Sequence, residues 1–129
     1  MPAGTIYKLL TRAEWEQAQA DGCGYYFGSA HDDRDGFLHF STAAQLPETA
    51  RKYFSGVPDL LLLAVEAERL KKRTPQNTEG VPLVCWEPAR DGDLFPHLYG
   101  ALPISLVKSI EAVPLDADGV PVLPTGLEP

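Results

Sequence analysis

The chain has 129 residues, of which 44% are hydrophobic and 22% charged, and its formal net charge at pH 7 is −7. This length and apolar content predict a single domain and exclude a disordered, coiled-coil or collagen-like chain. No apolar run approaches the roughly 18 residues of a membrane span. Nucleic acid is not an expected partner either, because its phosphates require clustered cations on one face.

The first residues and the cysteines indicate a cytoplasmic location. Residues 1–4 lack the basic and then apolar pattern of a signal peptide. Cys23 and Cys85 are expected to be reduced thiols, and their spacing offers no structural zinc site. We therefore expect a cytoplasmic protein without a membrane segment and without a bound metal.

Two strands and two short helices are predicted in the first half of the chain. Thr5–Leu10 is the first strand, and a capping box between Thr11 and Glu14 begins a helix over Arg12–Ala20. The polar stretch Tyr25–Asp35 is expected to be irregular, and Gly36–Ser41 to be a buried strand.

The start of the second helix has two interpretations. Thr42 can cap the helix with Gln45 as its capping-box partner, although Pro47 would then lie inside the helix and remove a backbone hydrogen bond. Alternatively, a turn over Thr42–Leu46 precedes a helix whose first residue is Pro47. Both interpretations end the helix before Gly56.

Strands joined by loops are predicted in the second half. The strands are Asp59–Glu66, Leu83–Glu87 and Ile104–Val113, and the connecting loops are Lys71–Gly80, a turn at Asp91–Asp93, and the aromatic segment Phe95–Gly100. Residues 114–129 are expected to form a loosely packed tail on a core of about residues 5–113. This mixed order of elements predicts an α+β fold.

Several common sites are excluded by their missing motifs. The sequence has no glycine-rich dinucleotide fingerprint, no P-loop and no nucleophile elbow. The acidic segment His31–Gly36 is similar to the start of a calcium loop, but the twelfth position is Thr42 instead of a bidentate Glu. Its carboxylates are interpreted as solvating a loop.

A histidine and a serine share one face of the predicted strand Gly36–Ser41. Because side chains alternate along a strand, His39 and Ser41 point to one side when Leu38 and Phe40 point to the core. The pair then faces a cleft, with the imidazole as donor or base. The alternative is a half-buried structural histidine beside a capping serine.

A second histidine lies in the aromatic segment Phe95–Gly100. Such a segment, flanked by proline and glycine, often forms the wall of a binding site, here with His97 and Tyr99. The alternative is a loop that Phe95 and Tyr99 anchor in the core.

Two charged residues have unusual neighbours. Glu87 follows Trp86, so it is either an acid of raised pKa or a plain surface carboxylate. Lys8 lies in the middle of an apolar strand, where it either lines a cleft or extends its ammonium group to solvent.

These segments together resemble a family of small bacterial proteins known as domain of unknown function 952. The resemblance extends from Thr5 to about Val113. It is carried by Ile6–Leu9 (IYKL), Trp15, Asp35–Thr42 (DGFLHFST), Asp59–Leu63 (DLLLL), Trp86–Pro88 (WEP) and Phe95–Gly100 (FPHLYG).

The family is similar in fold to the ADP-ribosyltransferase superfamily, in which two small sheets hold NAD in the cleft between them. The resemblance implies split mixed or antiparallel sheets, with Lys8 where some relatives have a histidine. It also implies that Gly36–Thr42 leads into a helix carrying Tyr53, and that Glu87 is the candidate for the acid that supports an oxocarbenium-like transition state.

The first hypothesis is therefore an ADP-ribosyltransferase-like protein that binds NAD or another ADP-ribose-containing small molecule. The resemblance implies NAD as a substrate and no metal. The candidate catalytic residues are His39, His97 and Glu87, and the candidate ligand-binding residues are Lys8, Ser41, Thr42, Tyr53 and Tyr99.

Two other functions remain open. One is a non-catalytic binding module whose aromatic segment is an interface. The other is a metal-free phosphoesterase with two His-x-[Ser/Thr] motifs, of which His39-Phe40-Ser41 is one, whereas His97-Leu98-Tyr99 has a tyrosine in place of the small hydroxyl residue.

Overall fold

A computed structural model describes residues 4–74, 83–89 and 92–129. Its elements are β1 (Thr5–Thr11), α1 (Arg12–Ala20), β2 (Tyr25–Tyr26), α2 (Ala30–Asp35), β3 (Leu38–His39), α3 (Leu46–Phe54), β4 (Leu60–Glu66), α4 (Ala67–Arg73), β5 (Val84–Pro88), β6 (Leu94–Leu98), β7 (Leu102–Pro103), a 3₁₀ turn (Ile104–Leu106) and β8 (Val107–Val113). The α+β prediction is confirmed. None of the described helices has the length and apolar character needed to cross a bilayer.

The central sheet has the antiparallel order β1-β4-β8. The middle strand β4 is buried from Leu60 to Val65, because apolar side chains cover both of its faces. One face packs against Trp15 of α1, and the other against Leu46 of α3. The aliphatic run therefore predicted a strand that has neighbours on both edges and both faces.

A second antiparallel sheet has the order β3-β6-β5, and β2 pairs with β7. Tyr7 and Ser41 connect the second sheet to the first, since the N–H of each donates to the carbonyl of the other at 2.8 Å. This bridge brings the end of β3 beside Lys8 in the middle of β1, and it thereby assembles the candidate site.

The structure contains two helices that were not predicted. Helix α2 lies in the stretch expected to be irregular, where the Ser29 side chain accepts from the Asp32 N–H and the Asp32 carboxylate accepts from the Ser29 N–H. Gly36 ends α2 in the left-handed region, at φ 85°. Helix α4 replaces the start of the predicted loop Lys71–Gly80, because the sequence from Ala67 continues in strong helix formers.

The structure resolves the start of α3 and corrects the aromatic segment. Thr42 and Gln45 do form reciprocal hydrogen bonds, but they close a turn, and the helix begins at Leu46 with Pro47 in its first turn. The aromatic segment Phe95–Gly100, expected to be irregular, contains most of β6, in which the carbonyl of Pro96 accepts from the Phe40 N–H at 3.0 Å. Residues 75–80 of one predicted loop and Asp91 of another lie outside the described residues.

The tail beyond β8 makes specific contacts, which were not expected of a loosely packed segment. The carbonyl of Glu128 accepts from the Tyr7 hydroxyl at 2.8 Å, and the carbonyl of Pro129 accepts from the Thr5 N–H at 3.2 Å. Leu123 and Leu127 pack against the face of the central sheet that carries α3. The tail therefore covers one edge of this apolar cluster.

We expect deletion of residues 123–129 to lower the free energy of unfolding by roughly 2 kcal/mol, because two half-buried leucines lose their contacts. Chemical denaturation of the shortened chain measures this difference. Glu128→Ala is the control, since it keeps both leucines and the backbone carbonyl. Equal stability of the full and shortened chains would contradict the role given to the tail.

Candidate functional site

A cavity of about 710 Å³ opens between the two three-stranded sheets and α2. This volume lies within the range of roughly 300–1,000 Å³ that is usual for small-molecule sites. Its wall includes Lys8 from β1, His31 from α2, His39 from β3, Tyr53 from α3 and His97 from β6. Five different elements therefore contribute polar or aromatic side chains to one cavity.

The two histidines meet because they are partners in a strand ladder. His39 of β3 lies directly opposite His97 of β6 in the antiparallel register, so their side chains project from the same face. Their ring centroids are 5.8 Å apart. Leu38 and Phe40, on either side of His39, are buried in the apolar core as expected, although Phe40 also lines the cavity.

Two carboxylates surround the His39 ring. Asp32 Oδ1 lies 2.6 Å from His39 Nδ1, and Asp35 Oδ2 lies 2.9 Å from His39 Nε2. Asp32 Oδ1 also accepts from the backbone N–H of His39 at 3.1 Å. Both ring nitrogens are therefore held in place, and the imidazole has one fixed orientation.

The deepest charge pair joins Lys8 to Asp32. Lys8 Nζ lies 2.8 Å from Asp32 Oδ2, and the two side chains are only 5% and 3% exposed. Burial raises the pKa of Asp32, but hydrogen bonds from His39 and the charge of Lys8 outweigh it and hold the pKa well below its ordinary value. Burial lowers the pKa of Lys8, and the nearby carboxylate opposes that effect.

Lys8 therefore has a structural role that the resemblance did not imply. Its ammonium group donates to Asp32 and to the backbone carbonyl of His39, the latter at 3.0 Å. Although Lys8 lines the cavity, its charge is already paired with a carboxylate. Of the two alternatives left open for Lys8, the one in which its ammonium group extends to solvent is wrong, because the side chain is buried.

The second imidazole is held by a carboxylate on the neighbouring strand. His97 Nδ1 lies 2.8 Å from Glu87 Oε1, and the same oxygen accepts from the Tyr99 hydroxyl at 2.5 Å. Burial lowers the pKa of His97, which favours a neutral ring. Within the described part of the chain, His97 Nε2 has no hydrogen-bond partner.

Glu87 has a lowered pKa, which contradicts the raised pKa that its position beside Trp86 suggested. The largest cause is the hydrogen bond from Tyr99, and the hydrogen bond from His97 lowers the pKa further. Burial and the bond to Glu87 raise the pKa of Tyr99 to about 12. Glu87 is thus an ionised acceptor that orients His97.

We expect His97 to carry its proton on Nδ1 in the folded protein, because Glu87 accepts there. Nitrogen NMR of the ring should show a protonated Nδ1 and an unprotonated Nε2 at neutral pH. In Glu87→Ala the Nε2–H tautomer should become a major form. Predominance of that tautomer in the unmodified chain would contradict the assigned hydrogen bond.

Aromatic rings form the rest of the wall near the histidines. The Phe37 ring stacks on His97 with centroids 4.0 Å apart and an interplanar angle of 26°. His31 packs against His39 at 4.4 Å and against Tyr53 at 5.8 Å. The cavity therefore offers flat faces beside polar groups.

Helix α2 contributes a cluster that the sequence interpretation missed. His31 and Asp35 are four residues apart and share one face of α2, next to His39. One potential ligand atom from each of the three residues lies within 4.8 Å of the other two. The capping pattern Ser29-x-x-Asp32 was the available signal for this helix, and it was interpreted as a solvated loop instead.

The cavity brings together five of the eight predicted site residues. Three predicted residues are not among the described residues of its wall: Glu87 and Tyr99 lie behind His97, and Thr42 closes the turn before α3. The five in the wall are Lys8, His39, Ser41, Tyr53 and His97.

The wall and core interpretations of the aromatic segment are both partly realised. Phe95 and His97 are only 6% and 5% exposed, and both line the cavity. Tyr99 is 40% exposed and lies outside the wall. The segment therefore fills the core from one side and shapes the cavity from the other.

Comparisons with known proteins place the chain in a family. Protein CC0527 from Caulobacter crescentus, in its crystal structure, is 47% identical, with 92% of this chain and 94% of that chain covered and a TM-score of 0.80. Its solution NMR structure gives 47% identity, 91% and 90% coverage, and a TM-score of 0.73. A search of curated proteins finds no match. A family model described as "Protein of unknown function (DUF952)" matches residues 9–110, so the chain belongs to the DUF952 family.

Proposed function

We propose that the chain binds NAD or another ADP-ribose-containing small molecule in the cavity beside His39 and His97. The observation that carries this proposal is the pair of adjacent imidazoles in the cavity wall, in each of which Nδ1 is hydrogen-bonded to a carboxylate. Sites built in this way hold their polar groups in fixed positions before a ligand arrives. The resemblance to ADP-ribosyltransferases supplies the ligand class.

The wall contains partners for each part of such a ligand. The exposed ring of Tyr53 can stack on a planar base, and Phe37, one face of which is stacked on His97, can contact the base with its edge. The carboxylate of Asp35 and the hydroxyl of Ser41 suit ribose hydroxyls. The guanidinium of Arg34, which also lines the cavity, suits the pyrophosphate, since Lys8 is already paired.

The arrangement also provides a base for transfer from NAD. The bond between ribose C1′ and the nicotinamide nitrogen breaks, and its electron pair neutralises the pyridinium. An acceptor hydroxyl or water attacks C1′, and its proton goes to Nε2 of His97 while Glu87 holds Nδ1. Glu87 thereby acts through His97 and makes no contact with the ligand.

Calorimetric titration with NAD and with ADP-ribose tests the binding, and chromatography of released nicotinamide tests the reaction. Saturable binding of either compound, weakened in His39→Ala, supports the proposal. The surface variant Val122→Ala is the control, because that side chain lies in the tail and is 47% exposed. Absence of binding by both compounds at millimolar concentration would reject it.

A metal-free phosphoesterase is the second candidate, and the closeness of the two imidazoles favours it. One ring can accept a proton while the other donates one to a leaving oxygen. Ser41 lines the cavity, but Tyr99 donates to Glu87 instead of supplying the second hydroxyl. Hydrolysis of a 2′,3′-cyclic nucleotide at equal rates by the unmodified chain and His39→Ala would remove this candidate.

A further inference from the structure

We propose that His31, Asp35 and His39 form a binding site for one divalent transition-metal ion, with Zn²⁺ as the reference ion. The site goes beyond the proposed nucleotide binding and does not depend on it. Two imidazole nitrogens and one carboxylate oxygen are a frequent donor set for catalytic metals in proteins.

The backbone already places the three donors around one point. His31 and Asp35 project from the same face of α2, and His39 follows on β3 after the turn at Gly36. Asp35 Oδ2 lies 2.9 Å from His39 Nε2 and 3.8 Å from His31 Nε2. Ligands of a tetrahedral zinc ion with bonds of about 2.0–2.1 Å are separated by similar distances, so small side-chain rotations suffice.

The surroundings of His39 match those of a metal-bound histidine. Its Nδ1 lies 2.6 Å from the buried carboxylate of Asp32, which leaves Nε2 directed toward the cluster. A carboxylate behind a ligating imidazole fixes the tautomer and increases the electron density on the metal-binding nitrogen. Lys8 fixes that carboxylate in turn, at 2.8 Å. Asp32 and Lys8 thus already hold the candidate ligand His39 in place from behind.

Charge and donor type both select the class of ion. Asp35 and Asp32 carry two negative charges, and Lys8 and Arg34 carry two positive charges. Once the exposed Arg34 rotates into solvent, the cluster with neutral imidazoles has a net charge of −1, which a divalent cation offsets. Two nitrogen donors favour zinc, cobalt or nickel over calcium and magnesium, which prefer oxygen.

Arg34 is the group that a metal must displace. Its guanidinium lies 2.5 Å from His31 Nδ1. When Nε2 of a neutral imidazole binds a metal, Nδ1 carries the proton, so Nδ1 can no longer accept from Arg34. The Arg34 side chain is 69% exposed, so it can rotate into solvent at small cost. All three ligands line the cavity, and a fourth coordination position can therefore hold water or an oxygen of a bound molecule.

The test uses the tag-free chain, freed of metal with a chelator and titrated with ZnCl₂ or CoCl₂ alone. We expect 1:1 binding by calorimetry and, for Co²⁺, visible absorption bands of a low-coordinate site. His39→Ala and Asp35→Asn should each weaken Zn²⁺ binding by at least about a hundredfold, because each removes a direct ligand, whereas loss of an outer-layer group costs about 10–100-fold.

Asp33→Asn is the matched control, since Asp33 is on α2 but exposed and outside the cluster. Its affinity should stay within about twofold of the unmodified chain, because its charge is screened by water and salt. Thermal unfolding of each metal-free variant shows whether it is folded. If His39→Ala or Asp35→Asn is unfolded, His31→Ala takes its place. The proposal would be overturned if the unmodified chain showed no 1:1 binding of Zn²⁺, or if folded variants that lack a proposed metal ligand bound Zn²⁺ with the same affinity as the unmodified chain. Neither result depends on nucleotide binding, because no nucleotide is present.

Discussion

Asp32→Asn is expected to lower the free energy of unfolding by about 3–5 kcal/mol, because it removes one partner of a buried ion pair. The change leaves the Lys8 ammonium without a counter-charge at 5% exposure. It also weakens the contacts of the same carboxylate to the His39 ring and to the Ser29 N–H. For a chain of this size the melting temperature should fall by roughly 10 °C or more.

Thermal and chemical denaturation of three variants test this expectation. Lys8→Met should destabilise the chain by a similar amount, since it leaves a buried carboxylate unpaired. Asp33→Asn, on the same helix but exposed, should change the stability by no more than about 0.5 kcal/mol. Similar losses in Asp32→Asn and Asp33→Asn would contradict the central position of the Lys8–Asp32 pair.

His97→Ala is expected to slow the release of nicotinamide from NAD by about 10²–10⁴-fold, the usual contribution of a positioned base. Substrate binding should weaken far less, because the loss of one neutral hydrogen bond costs only about 0.5–1.5 kcal/mol. The effect should therefore appear mainly in kcat, and a smaller decrease should appear in Glu87→Gln, which leaves the imidazole present but less strongly oriented.

Steady-state kinetics of nicotinamide release with these variants separate the effect on kcat from the effect on KM. Val122→Ala, an exposed position outside the cavity wall, is the control for nonspecific damage. An unchanged kcat in folded His97→Ala would show that the imidazole takes no part in the reaction.

Local patterns predicted those parts of the fold that depend on neighbours in the sequence. The capping box between Thr11 and Glu14 starts α1 where it was expected, because both partners lie within one helical turn. The run Leu60–Val65 forms the middle strand, since only a strand covered on both faces needs continuous apolar residues. Alternation also predicted the half-buried His39 between the buried core residues Leu38 and Phe40.

The parts that depend on distant contacts could not be predicted in the same way. Lys8 and Asp32 are 24 positions apart, so their ion pair exists only after β1 and α2 have packed together. The segment Phe95–Gly100 was expected to be a loop, but the pairing of Pro96 with Trp86 on the neighbouring strand places its first residues in β6. The register that sets His39 opposite His97 is likewise a property of the folded sheet.

The cluster on α2 was missed for a more local reason. Residues 25–35 contain one glycine and three aspartates, residue types that favour turns, and the capping signal at Ser29 was outweighed by that composition. Without the helix, the four-residue spacing of His31 and Asp35 has no structural meaning. Gly28 contributes to the same geometry, since a Cβ there would lie 2.9 Å from Asp32 Cβ.

Titration of the ¹⁵N-labelled chain with ADP-ribose, followed through the imidazole resonances, tests most directly the proposal that the cavity shared by His39 and His97 binds a nucleotide. We predict that the ring signals of His39 and His97 shift together along one saturation curve, because both rings line the same wall. Backbone signals of the solvent-exposed segment Lys108–Ala112 on β8 should stay in place. Saturation that moves β8 and leaves both rings unchanged, or no shift at millimolar ligand, would contradict the account.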